Sequence, residues 1–326
     1  MGETVITVSN VRRVYKTEVG LFKKTKKEVE ALKGISFSIN RGEIFGLLGP
    51  NGAGKTTMIK LLTTMLIPDE GTISIMGMDP VTQHRKVRPH INFILGGERN
   101  LYWRLSAYDN LAYFADLYKV PRLEQKNRIL ELLELVGLGD VAHQRVETFS
   151  KGMKQRLQIA RGLINRPDIL FLDEPSIGLD PVSARRLRDI LLKLNEQGTT
   201  ILLTTHYMYE ADELCDRIAF IDKGQLITVD TPKNMKRQTA GLSIIECKLT
   251  NVNANKMEAL SLLPHVRHVK QEQDDMLTTI RLHTEMPQAV IPAIYQLVDE
   301  TNISDLAIMQ PTLEDVYVQL VGGHAK

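Results

Sequence analysis

The chain has 326 residues, 43 % apolar and 25 % charged, with a net charge of +2. That length suggests two domains at roughly 100–200 residues each, the composition is that of an ordinary soluble globular protein, and the near-neutral charge offers nucleic acid no bulk field. The two cysteines, Cys215 and Cys247, lack paired spacing, which excludes a disulfide scaffold and fits a reducing cytosol.

Met1 to Thr7 lacks the basic lead and apolar core of a signal peptide. No run approaches the roughly 18 apolar residues of a membrane helix, so work at a membrane would need a partner to hold the chain there. Thr4 to Val8 and Ile35 to Ile39 alternate as strands do. Between them lies Tyr15, open to two readings: a half-buried strand aromatic, or a ring that stacks on an adenine. Lys23, Lys24, Lys26 and Lys27 read as a solvated loop or as a contact for anionic headgroups.

Glu43 to Leu48 is a short apolar run, expected as a buried strand, and Met58 to Leu62 reads as a helix. Between them, Gly49-Pro50-Asn51-Gly52-Ala53-Gly54-Lys55-Thr56-Thr57 fits G-x-x-x-x-G-K-[ST]. Glycines let a backbone curl so that successive N–H groups face phosphate oxygens. A helix starting at Gly54 or Lys55 adds the positive end of its dipole. Lys55 is expected to reach the β- and γ-phosphates and the Thr56 hydroxyl to ligate Mg²⁺. The strand–loop–helix context makes this a nucleoside-triphosphate site.

Ile67 to Gly71 is a turn; Thr72–Met76 and Ile91–Leu95 are strand candidates. Ala107 to Lys119 and Leu123 to Val136 then carry apolar residues at helical spacing, with Gly137 and Gly139 ending the second helix. Ser150 is a plausible N-cap for a further helix from Lys154 to Ile164. Ile169 to Leu172 is an apolar strand ending in Asp173 and Glu174. Ligands of parallel sheets sit beyond the carboxyl ends of strands, so both acids should arrive where the glycine loop holds phosphate. Asp173 would hold Mg²⁺ and Glu174 would orient or deprotonate a water. Ser176 to Asp180 is a tight loop, and Pro181 starts a helix to Asn195. Thr200–Thr204 is a buried strand whose end carries His206, a candidate γ-phosphate contact. Arg217–Asp222 and Gln225–Val229 form a hairpin around Lys223-Gly224.

Past Thr231 to Gly241 the order is strand Ser243–Leu249, helix Ala254–Leu263, strands Val266–Gln271 and Met276–Leu282, helix Gln288–Glu300, strand Ser304–Met309. That βαββαβ order suggests a ferredoxin-like domain, regulatory or dimer-supporting. A last helix, Thr312 to Val321, is announced by a Thr312…Asp315 capping box.

These motifs resemble one family, the ATP-binding-cassette ATPases, over about residues 4 to 235. Gly49–Thr57 matches its Walker A; Asp173 and Glu174 match its Walker B aspartate and catalytic glutamate. Phe149-Ser150-Lys151-Gly152-Met153 looks like a variant of its LSGGQ signature, with Lys151 and Met153 replacing a Gly and a Gln. Ser176–Asp180 is similar to its D-loop and His206 to its switch histidine; Tyr15 falls where the family keeps an adenine-stacking aromatic. Gly96-Gly97-Glu98 stands where the family usually has a glutamine. Ser150 to Gln155 and Pro311 to Tyr317 resemble the drug-, antibiotic- and lipid-exporter branch.

The resemblance implies an α/β fold: a P-loop NTPase cassette over 1–235 with a mixed sheet core, an antiparallel β subdomain and a helical insertion over about 97–165. A small α+β ferredoxin-like domain would follow over 241–326. It implies an ATPase that uses ATP and Mg²⁺, binds no nucleic acid, and sits at the cytoplasmic face of the cell membrane through a transmembrane permease subunit. Two copies would pair head to tail, so that Ser150, Lys151, Gly152 and Asp180 of one meet ATP held by Gly49, Pro50, Asn51, Gly52, Ala53, Gly54, Lys55, Thr56 and Thr57 of the other. Leu101-Tyr102-Trp103-Arg104-Leu105 reads as the permease contact or as packing within the insertion. A soluble cassette acting on ribosomes or chromosomes is the rival; such proteins usually carry two cassettes or a long coiled coil, absent here.

Overall fold

Strand Thr4–Val19 (β1) runs well past its first apolar stretch and pairs antiparallel with Thr25–Asn40 (β2), from Thr4 opposite Asn40 to Val19 opposite Thr25. The computed structural model describes residues 2–19, 25–95, 101–238, 243–250, 254–274, 277–298, 302–309 and 311–322. The outer half of this ribbon is too polar to alternate, and so escapes a reading based on apolar period. Charge supplies the cross-strand partners instead: Arg12 pairs with Glu30 at 2.7 Å, and Lys16 with Glu28 at 3.3 Å. Lys26 and Lys27 fall in β2 rather than in a loop, while Lys23 and Lys24 lie outside the described residues.

Ile44–Leu48 (β3) is buried at every position, as a strand covered on both faces must be. It leads through the glycine loop to helix Lys55–Leu62 (α1). Glu70–Ile75 (β4) returns to the free side of β1 and completes a three-stranded antiparallel sheet, β2-β1-β4. A short helix His84–Val87 (α2) precedes Ile91–Leu95 (β5).

Among the described residues the insertion holds three α-helices, Ala107–Leu117 (α3), Arg122–Leu135 (α4) and Lys151–Gly162 (α5). Ser106 caps α3 by accepting from Asp109 N at 3.0 Å. Leu111 and Phe114 of α3, Ile129, Leu132 and Leu133 of α4 and Leu157 of α5 are buried. Helix α5 begins three residues before the periodic pattern, because Ser150 caps it directly.

Ile169–Asp173 (β6), helix Pro181–Glu196 (α6), Thr200–Thr205 (β7), helix Met208–Leu214 (α7), Arg217–Asp222 (β8) and Gln225–Asp230 (β9) complete the first unit. The central sheet has the order β5-β6-β7-β3-β8-β9, parallel except for β9. Val5, Ile6, Ile35 and Ile39 of the small sheet, Phe45 and Leu47 of β3, and Met58, Ile59 and Leu62 of α1 share one core. Helix α7 has two buried residues, Ala211 and Leu214, too few to show a period in the sequence.

The chain divides into Met1–Thr231 and Pro232–Lys326. The second unit opens with helix Pro232–Gln238 (α8), which the sequence reading assigned to no element. Ser243–Thr250 (β10), Ala254–Ser261 (α9), Val266–Asp274 (β11), Leu277–Thr284 (β12), Pro287–Leu297 (α10), Ile303–Met309 (β13) and Leu313–Gly322 (α11) follow. The sheet order β11-β12-β10-β13, antiparallel throughout, is the ferredoxin-like one. Ile245, Cys247, Leu249, Ile280, Leu282, Val290 and Ile294 make its core. The capping box is present: Thr312 N donates to Asp315 Oδ2 at 2.8 Å and Asp315 N to Thr312 Oγ1 at 3.3 Å.

Candidate functional site

Parallel register builds the site. Leu48 of β3 lies beside Thr205 of β7, and Thr204 lies beside Asp173 of β6, so three chain segments leave the sheet at one edge. The glycine loop comes from β3, the acid pair from β6 and His206 from β7.

Gly52 and Gly54 have φ of +83° and +110°. A Cβ at Gly54 would lie 2.6 Å from Ala31 O, so the loop needs glycine there for space as well as conformation. Gly54 is the N-cap of α1 and has no side chain to satisfy the first N–H groups, which leaves them for an anion. Lys55 is 5 % exposed. Its ammonium donates to Gly49 O at 2.7 Å and Pro50 O at 3.1 Å, and lies 3.8 Å from Glu174 Oε1. Burial lowers the Lys55 pKa, while Glu174 and Asp173 pull it back up.

Thr56 Oγ1 donates to Asp173 Oδ2 at 3.0 Å. Asp173 Oδ1 accepts from Thr204 Oγ1 at 2.5 Å. Glu174 sits at φ +49°, the left-handed region that costs a non-glycine residue energy. Its N–H donates to Thr204 O at 3.0 Å and Thr204 Oγ1 at 3.1 Å. His206 Nδ1 is 3.4 Å from Glu174 Oε1, near enough to pair when protonated but outside hydrogen-bond geometry. The Tyr15 hydroxyl lies 3.4 Å from Thr57 Oγ1, and the Arg13 guanidinium stands over its ring at 5.4 Å. Tyr15 is thus beside the glycine-loop helix.

Ser150, Lys151, Gly152 and Asp180 form a second cluster. Ser150 Oγ accepts from Met153 N at 3.2 Å and caps α5. Asp180 caps α6, accepting from Val182 N and Ser183 N, both at 3.0 Å, and from Ser183 Oγ at 2.6 Å. Those Ser183 bonds hold its carboxyl below the usual range. Gly152 lies against Ser183, where a Cβ would collide with the hydroxyl, and the Lys151 ammonium lies over Gly178. Among the described residues, no hydrogen bond or ion pair joins Ser150, Lys151 or Gly152 to the glycine loop.

Sequence reasoning missed two residues. Thr204 contacts both acids, and Glu210 of α7 accepts from Ser176 Oγ at 2.6 Å and Thr205 Oγ1 at 3.4 Å, tying the two loops together. A pair of threonines closing an apolar strand was the available signal. Gly96, Gly97 and Glu98 lie outside the described residues. Tyr102 and Trp103 are each 48 % exposed. Tyr102 N donates to Asn110 Oδ1 at 2.8 Å, its ring meets Tyr113 edge-on at 4.8 Å, and Lys154 stands 4.6 Å over Trp103. The segment is anchored to the insertion while both residues stay about half exposed.

The donors fit the ligands the sequence implied. A glycine loop feeding an uncapped helix N-terminus beside a buried lysine suits a triphosphate. A hydroxyl and a carboxylate 3.0 Å apart are the hard oxygen donors that magnesium takes along with substrate phosphates.

The parallel sheet, glycine loop and strand-end acid pair define a P-loop nucleoside triphosphatase. Residues 32–177 match the ABC transporter family. The chain is 35 % identical over 304 residues to the linearmycin resistance ATP-binding protein LnrL of Bacillus subtilis (strain 168), covering 92 % of this chain and 96 % of that protein. It is 35 % identical over 326 residues to the daunorubicin resistance ATP-binding protein DrrA3 of Streptomyces coeruleorubidus, with 99 % and 97 % covered. Solved structures agree. CbiO1 of Clostridium perfringens, part of the transporter complex cbiONQ, superposes with a TM-score of 0.63 at 27 % identity, over 72 % of this chain and 92 % of that one. The ATP-binding cassette MJ0796, solved as a post-hydrolysis dimer with ADP and Pi, gives 0.61 at 28 % identity, over 69 % and 98 %. The chain belongs to the ABC transporter family, as a nucleotide-binding ATPase cassette.

Proposed function

We propose that this ATPase is the motor subunit of an exporter for a drug, antibiotic or lipid-like compound. Two copies work as a homodimer beneath a transmembrane permease subunit at the cytoplasmic face of the membrane. The relatives' names support the cargo class. Among the described residues no helix is long and apolar enough to cross a membrane, so attachment through a partner suits the chain. The observation that carries the homodimer is that, among the described residues, no hydrogen bond or ion pair joins the signature helix end at Ser150 to the glycine loop within one copy.

ATP and Mg²⁺ supply the bond to be cut and the cation that offsets its charge. Gly49 to Thr57 bind the phosphates, with Lys55 on the β- and γ-groups and Tyr15 at the base. Thr56 and Asp173 hold the metal side. Glu174 orients the attacking water, and His206 contacts the γ-phosphate. Ser150, Lys151, Gly152 and Asp180 of the second copy close the site, with charge-assisted hydrogen bonds of roughly 1.5–3 kcal/mol each. Loss of the γ-phosphate removes those bonds, and the opening drives the permease.

Glu174→Gln tests this reading. With ATP it is expected to sediment as a dimer, with hydrolysis slowed roughly 10²–10⁴-fold. A strictly monomeric ATP-loaded variant, beside its membrane partner as well as alone, would overturn the homodimer. A detergent pull-down that recovers ribosomes or DNA instead of a permease would overturn the exporter.

A further inference from the structure

We propose that Thr204 is a positioning residue that sets the Asp173 carboxylate for magnesium and fixes the backbone turn at Glu174; the inference rests on the roles given above to those two acids. Thr204 and Thr205 are consecutive on β7 and so face opposite sides of the sheet. Thr205 accepts from Tyr207 N at 3.0 Å and reaches Glu210. Thr204 points toward β6 and spends both hydroxyl functions on the acid pair.

Its single proton goes to Asp173 Oδ1 at 2.5 Å, while a lone pair accepts from Glu174 N at 3.1 Å. The main-chain oxygen of the same residue accepts from that N–H as well, at 3.0 Å. One residue thus holds both acids. With Oδ1 engaged, the carboxylate cannot rotate freely, and Thr56 Oγ1 lies nearer Oδ2, at 3.0 Å, than Oδ1, at 3.4 Å. Thr204 is 0 % exposed, so water cannot take over the hydroxyl's place. The Glu174 turn, at φ +49°, persists because its N–H is held from two oxygens of Thr204. This is the outer-shell logic of metal sites, in which a partner behind the ligand sets its aim.

Thr204→Val keeps the β-branched shape and removes the proton and lone pair. Binding of a methylanthraniloyl-ATP probe is measured in the Glu174→Gln background against Mg²⁺ concentration and in EDTA, alongside steady-state ATPase of the single variant. The expected result is a rise of roughly 10–100-fold in the Mg²⁺ midpoint, a fall in kcat, unchanged probe affinity in EDTA, and recovery by Thr204→Ser. Should Thr204→Val not fold, Thr204→Cys, a weak donor of similar volume, is judged by the same midpoint. A wild-type midpoint in Thr204→Val, or in Thr204→Cys where Thr204→Val does not fold, overturns the inference, as does a Thr204→Ser as defective as Thr204→Val. Asp173→Asn is the control: if it too leaves the Mg²⁺ response unchanged, the reading of the acid pair fails first.

Discussion

Lys55 shows how a buried ammonium is held for the phosphate role proposed for it. Two of its three ammonium protons are engaged by the loop's own carbonyls at Gly49 and Pro50, and the third side faces the space beside Glu174. The charge is buried yet never uncompensated, which is the condition for keeping a lysine protonated away from water. Lys55→Ala leaves the loop without its cation. ATP affinity is expected to fall by a factor on the order of 10–100, as for a lost charge-assisted hydrogen bond, with the circular-dichroism spectrum unchanged. Unchanged affinity in calorimetry would count against the loop as the phosphate site. Glu174 presents the complementary case. Its side chain was legible from its place after Asp173, but its left-handed backbone was not, because that conformation is imposed by Thr204 from a neighbouring strand.

At the level of elements, the register of β6 with β7 and of β7 with β3 turns distant motifs into one site. The second cluster is built by helix packing instead: the start of α5 lies on the start of α6, Gly152 against Ser183, and Ser183 in turn serves the Asp180 cap. A side chain at Gly152 therefore acts on the Asp180 cap of α6 as well as on the start of α5. Gly152→Ala is expected to displace Ser183 and weaken the α6 cap by about 1 kcal/mol. A urea midpoint equal to wild type would mean that Ser183 gives way without cost. The charged outer half of the β1–β2 ribbon shows the limit of reading elements by period. Its cross-strand ion pairs set Arg12 and Lys16 of β1 against Glu30 and Glu28 of β2, opposite in sign across the ribbon rather than periodic in hydrophobicity.

For the whole molecule, the two units carry separate tests. In the first, Tyr102 and Trp103 are held by the insertion and remain about half exposed. Replacing both by alanine is expected to leave basal ATPase intact and abolish transport in reconstituted vesicles; intact transport would remove them from the permease contact. In the second, His283 is nearly buried, with Nε2 3.6 Å from Asp315 Oδ1 on α11. Burial lowers its pKa; Asp315 opposes the shift, and His268, Lys270 and Arg281 reinforce it. The unfolded chain then binds the extra proton more readily, so this group's stabilisation is full above the ordinary histidine value of about 6.5 and is lost as pH falls below it. The melting temperature of the second unit should drop between about pH 7 and pH 5, and His283→Gln should flatten that dependence.

The sequence alone marked the residues that the structure gathers at one edge of the sheet, because its motifs are local. A glycine loop between an apolar strand and a helix, and two acids closing another apolar strand, state their purpose within ten residues or so of chain. It also determined the ferredoxin-like order of the second unit, where strand and helix periods alternate cleanly. Only the tertiary structure decided what depends on neighbours distant in the chain. Thr204 became a partner of both acids through strand register, Glu210 a tie between two loops, and Gly152 a contact of Ser183 through helix packing. Such contacts leave no periodic or compositional trace, since each arises from what folding sets beside a residue rather than from the residues next to it in sequence.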